Sequence, residues 1–177
     1  MRPRGRCAIL SLDANHCKGT RMTSKADFNA EEWETVVNGP VYAGMRVISA
    51  ERGGTLRETL AMGRAYQAAR EHHGESELLD ELVSSPPSID PNRLREAGGD
   101  IGSIATEQLR EAVMILQAKT TATETDAYKR FVMTVAQTVA GAHKEGGFLG
   151  IGGKQITDAE NQALDELSSS LGPPPAD

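Results

Sequence analysis

At 177 residues and a formal net charge of −6, the chain is long enough for one domain with a hydrophobic core of its own and too short for two of ordinary size. Aromatic residues are only 4% of the sequence, and Ala, Leu, Val and Met carry the apolar content, a composition that suits helix-on-helix packing and argues against a strand-rich fold. Cys7 and Cys17 belong to no ligand pattern, and the apolar run from Cys7 to Leu12 is too short for a secretory leader or a membrane span; the expectation is a cytoplasmic protein without disulfides, structural zinc or an integral membrane segment.

The start of the chain differs in charge from the rest. Residues 1–21 hold five basic side chains (Arg2, Arg4, Arg6, Lys18, Arg21) against one acid, Asp13, a net of +4; the other 14 basic and 24 acidic residues leave the body at −10. An acidic body is a poor surface for phosphate backbones, and the basic stretch has neither helical periodicity nor interleaved aromatics, so no nucleic-acid partner is expected. Residues 1–24 read as a disordered basic leader, with Met22 as the expected natural start.

One helical domain is expected over 25–172, with a disordered tail at 173–177. Helix starts follow from capping chemistry, in which a side-chain oxygen and an acid three residues later each accept an otherwise orphaned backbone N–H. Asn29 with Glu32 opens the first helix, striped by Trp33, Val36, Val37, Val41, Gly44, Val47 and Ile48; Pro40 lies inside the stripe and predicts a break or kink after Asn38. Thr55 with Glu58 opens a second helix over about 56–73, carrying Leu56, Leu60, Gly63 and Tyr66, and Leu78, Leu79, Leu82 and Val83 mark a shorter third.

Ser84 to Ser88 and the cluster Gly98, Gly99 and Gly102 bracket a short helix opened by Asp90 and Pro91, which makes 84–103 the expected flexible linker. Ser103 is the expected start of a helix over 104–119 with Leu109, Ala112, Val113 and Leu116 on its buried face. Thr123 with Asp126 opens the next, striped by Tyr128, Phe131, Val132, Val135, Val139 and Ala142. Thr157 with Glu160 opens the last, which carries Ala163, Leu164, Leu167 and Leu171 and stops at Gly172 and three prolines. The sum is an all-α bundle of about six to seven helices.

Between the last two helices lies a glycine-rich loop, Gly146 to Gly153, followed by Lys154. A phosphate loop would need glycine where Phe148 stands and a hydroxyl after the lysine where Gln155 stands, and the dinucleotide fingerprint begun at Gly150 would place its third glycine on Gln155. The apolar side chains Phe148, Leu149 and Ile151 instead either fold back onto the core or offer a small contact for a protein partner or a membrane. Glu145, Asp158 and Glu160 flank the same loop, and two helix ends beside backbone carbonyls would give an oxygen set suited to a weakly held divalent cation. His72 and His73, adjacent near a helix end, diverge too far around a helix to share a metal.

The segment from Tyr128 to Leu171, with Val139-Ala140-Gly141-Ala142-His143, a glycine-rich turn and Ile156-Thr157-Asp158-Ala159-Glu160 before a Leu-rich helix, resembles the tellurite-resistance TerB-like helical domains. The resemblance implies an all-α fold, acidic residues linked to divalent cations and a role in stress response. Where that family has a turn aspartate this chain has His143 or Lys144, and Glu145 is the nearby acid able to substitute. Lys25 to Gly172 is also similar to bacterial proteins of unknown function that begin with Phe-x-x-Glu-Glu-Trp, here Phe28 to Trp33, and end in Gly-Phe-Leu-Gly-x-Gly-Gly.

No HExxH, GxSxG or Cys/His pairing is present. The expectation is therefore a non-enzymatic helical interaction or stress-response module that engages an unidentified protein partner or itself. The alternatives are a structural module self-assembling through the Trp33 stripe and an enzyme with a polar cleft around His143, Glu145, Asp158 and Glu160.

Overall fold

The computed structural model describes residues 22–50, 55–71, 76–85, 87, 100–142 and 156–172, the side chains of 55–58 excepted. They form six α-helices and, among the described residues, no strand: α1 (Ala30–Ala50), α2 (Thr55–Glu71), α3 (Glu77–Ser84), α4 (Ile101–Lys119), α5 (Ala122–Gly141) and α6 (Asp158–Leu171), preceded by a 3-10 turn at Lys25–Asp27. The all-α expectation holds. The short helix expected behind Pro91 and the loop Gly146 to Gly153 lie outside the described residues.

α1 is the axis of the bundle. It packs along α4 and α5 and also meets α6, while α2 lies on α5 and α3 closes against α2. From Thr35 to Gly44 every residue of α1 is buried, so this stretch has no solvent face, in keeping with a sequence that is mostly small or apolar, Asn38 excepted. Val36, Tyr42, Leu78, Leu82, Leu109, Leu116, Tyr128, Val132, Val135, Val139 and Leu167 form the most deeply buried part of the core. Each such side chain contributes about 1.5–3 kcal/mol by leaving water.

Pro40 does not break α1, which runs unbroken from Ala30 to Ala50. A proline four residues after Val36 cannot donate the N–H that Val36's carbonyl would accept in a helix. The hydroxyl of Tyr128 on α5 donates to that carbonyl instead, at 2.9 Å, inside the core. Gly39 makes room for it, because a Cβ at position 39 would stand 2.0 Å from the Tyr128 hydroxyl oxygen.

The helix starts are set by side chains. Asn29 Oδ1 accepts from Glu32 N at 2.9 Å and Glu32 Oε2 from Asn29 N at 2.8 Å, the reciprocal pair anticipated for α1. Thr157 and Glu160 close the same box at α6. At α5 the box is Thr121 with Glu124, one half-turn before the Thr123 and Asp126 of the sequence reading. α4 starts at Ile101 rather than after Ser103, because Asp100 accepts from both the amide and the hydroxyl of Ser103, at 3.2 and 2.6 Å.

α6 stops at Gly172, whose φ of 82° lies in the left-handed region that favours glycine. Its last turn has no basic residue of its own, but Lys129 of α5 brings its ammonium to within 3.8 Å of where a Gly172 Cβ would stand. A cation there opposes the negative end of the helix dipole.

Candidate functional site

The structure separates the residues singled out from the sequence. Glu145, Phe148, Leu149 and Ile151 lie outside the described residues, as do His72, His73 and His143. Asp158, the first residue of α6, is exposed, whereas Glu160 is fully buried and its Oε2 accepts from the amide and hydroxyl of Thr157 at 2.8 and 3.1 Å. The two acids of α6 thus serve different surroundings. Among the described residues no group of three His, Cys, Asp or Glu side chains stands close enough to hold a metal ion. The Trp33 stripe proposed for self-assembly is interior: Trp33, Val36, Val37, Val41 and Val47 are all buried in the bundle.

Buried polar groups serve the backbone. Glu124 gathers four donors: its Oε1 accepts from Thr23 N at 2.7 Å, and its Oε2 from Thr23 Oγ1 at 3.0 Å, Thr121 N at 2.9 Å and Thr121 Oγ1 at 2.8 Å. Burial alone would raise its pKa, but the bonds from Thr121 and Thr23 outweigh burial and hold the carboxyl below its ordinary value. Residues 22–24, assigned to the leader from the sequence, are therefore joined to the bundle, and Thr23 is buried.

Arg46 of α1 reaches Glu166 of α6 through Nε and Nη2, at 3.1 and 2.7 Å, and Gln162 donates to the other oxygen at 3.0 Å. These bonds, that from Arg46 foremost, hold the Glu166 carboxyl below its ordinary value. Stability from Glu124 and Glu166 is complete above the unfolded carboxylate value of 4.5 and is lost as pH falls through the depressed folded values. Thermal melts from pH 7 to 2.5 are expected to show a fall in Tm confined to that acid range, and Glu124→Gln is expected to flatten it; an unchanged acid slope in this variant would reject the assignment.

A groove of about 390 Å³ runs between α2, α3 and α5, with Ala65, Ala68 and Ala69 on one side and Leu79, Val83 and Phe131 facing them. Ser76, Asp80, Ala127, Arg130 and Thr134 complete its lining, so an apolar slot carries charges of both signs. Beneath Phe131 lies Tyr66, edge-on at 5.3 Å, with its hydroxyl buried and without a hydrogen-bond partner among the described residues. Burial pushes that phenol well above its ordinary pKa.

No protein-family model, curated protein or solved structure matches the chain.

A second, polar groove of about 360 Å³ lies where α4 meets α6, lined by Thr106, Arg110, Gln162, Asp165, Glu166, Ser169 and Ser170. It is built over the Arg46–Glu166 pair, and its hydroxyls Ser169 and Ser170 are bonded back to carbonyls of their own helix. The three large apolar side chains left exposed among the described residues, Met22, Leu60 and Met114, sit on different elements. Sequence spacing marked none of the groove between α2, α3 and α5 as a site. Ala65, Ala68 and Ala69 carry no chemistry of their own, and only their packing against α3 and α5 makes a concave surface of them.

Proposed function

We propose that the chain is a non-enzymatic helical interaction module of the TerB-like kind, acting in stress response, and that it seats an apolar side chain of a partner protein between α2, α3 and α5. The observation that carries this reading is that groove: a concave apolar slot of about 390 Å³ with a few polar groups at its margin is the form that recognition sites take. The interior polar groups support it, since Glu124, Glu160 and Tyr128 are engaged in capping helices or bonding the backbone. No helix among the described residues is long and apolar enough to cross a membrane.

Proteins captured from the native host can be reconstituted with the chain as purified pairs and measured by calorimetry. Ala68→Arg, on the groove, is expected to weaken a saturable complex about tenfold or more, and Gln117→Arg, exposed on α4, to leave it unchanged. Equal affinity of the two variants would reject the groove as the contact.

We further propose a weakly held divalent cation at Glu145, Asp158 and Glu160. Its test is titration with calcium, magnesium and zinc followed through the amide shifts at the start of α6. Saturable shifts there are the expected outcome, and a flat response to all three ions removes the cation.

A further inference from the structure

Residues 22–28 cross the bundle as a strap before Asn29 caps α1. Of these only Thr23 is buried; Lys25, Ala26 and Asp27 are exposed and Phe28 is half-buried. The attachments among the described residues are mostly polar. Thr23 donates its amide and hydroxyl to Glu124, at 2.7 and 3.0 Å; the Lys25 amide donates to the Glu81 carboxylate; and Lys119 donates to the Asp27 carbonyl at 3.1 Å.

Glu124 and Lys119, on the bundle side of these contacts, each have a second anchor. Glu124 keeps its bonds to Thr121, Lys119 keeps its ion pair with Glu32, and α1 keeps the Asn29–Glu32 box, whether or not the strap is in place. Under the strap is Trp33. Phe28 packs on its ring at 5.5 Å, the Lys25 ammonium lies 5.8 Å from the ring centroid, and the indole N–H is buried without a hydrogen-bond partner among the described residues.

A segment held mainly by side-chain bonds, with little buried apolar area and with Glu124, Lys119 and the α1 cap anchored elsewhere, meets the physical conditions for opening separately from the core. We propose that residues 22–28 open as a unit while the six-helix bundle stays folded, and that this opening uncovers Trp33 at the N-terminal end of α1. The strap is thus a conformational device of the fold, independent of whether the groove binds a partner.

Amide exchange followed by NMR in rising urea, with acrylamide quenching of Trp33, tests this on the full chain; Trp33 is the only tryptophan, so its emission reports this place alone. The Thr23 and Lys25 amides are expected to exchange through an opening almost insensitive to urea, unlike those of Leu109 and Val132. Thr23→Ala, which leaves α5 intact, is expected to speed strap exchange and Glu124→Gln to speed it further, by about 10- to 100-fold. Trp33 quenching should rise in both variants while the Leu109 and Val132 amides keep their steep urea dependence. The proposal is overturned if strap amides share the urea dependence of Leu109 and Val132, or if faster strap exchange leaves Trp33 quenching where it was.

Discussion

Gly39→Ala is expected to cost about 3 kcal/mol of stability, and adding Tyr128→Phe is expected to return part of that loss. The methyl group would stand 2.0 Å from the Tyr128 hydroxyl oxygen but 3.3 Å from the ring carbon that bears it and 3.4 Å from Leu109 Cδ2. The phenol has nowhere to retreat, being fully buried and fixed to the Val36 carbonyl. Removing the hydroxyl leaves only contacts that neighbours can absorb by shifting a few tenths of an ångström. Urea unfolding of the four chains in this cycle gives the coupling directly. Strictly additive losses would mean that the hydroxyl is not what excludes a side chain at position 39.

The caps were legible because they are local. Asn29 with Glu32 and Thr157 with Glu160 lie three residues apart and need no distant partner, and the structure closes both boxes as their spacing implies. The α5 start was misread because Thr121 and Thr123 each have an acid three residues on, and only the fold chooses between them: Glu124 also receives Thr23 from across the bundle. That α1 has no break at Pro40 has the same kind of cause. Its rescue comes from Tyr128, which meets Val36 across 92 positions of sequence, a distance over which periodicity carries no signal.

The candidate site was less legible than the fold. Phe148, Leu149, Ile151 and Glu145 drew attention through their residue types beside glycines, whereas the α2 wall of the groove between α2, α3 and α5 is made of alanines, which any helix can carry. Arg46 and Glu166 likewise look like ordinary surface charges until α1 and α6 come together, 120 positions apart in sequence. Charge and capping can be read one helix at a time; concavity and long-range ion pairs belong to the assembled bundle.

Tyr128→Phe alone is expected to cost about 1–3 kcal/mol, because it leaves the buried Val36 carbonyl with no donor, and Pro40→Ala is expected to recover much of that loss. An alanine at position 40 supplies the missing helical N–H to that carbonyl. In the otherwise unchanged chain the same substitution removes the proline's constraint on the unfolded state, while Tyr128 already occupies the carbonyl, so its benefit is smaller. The gain from Pro40→Ala should therefore be larger in the Tyr128→Phe background than without it. Slow hydrogen exchange at the new amide of position 40 should accompany that gain. Were the two substitutions simply additive, the hydroxyl of Tyr128 could not be standing in for the N–H that Pro40 lacks, and the continuity of α1 would need another cause.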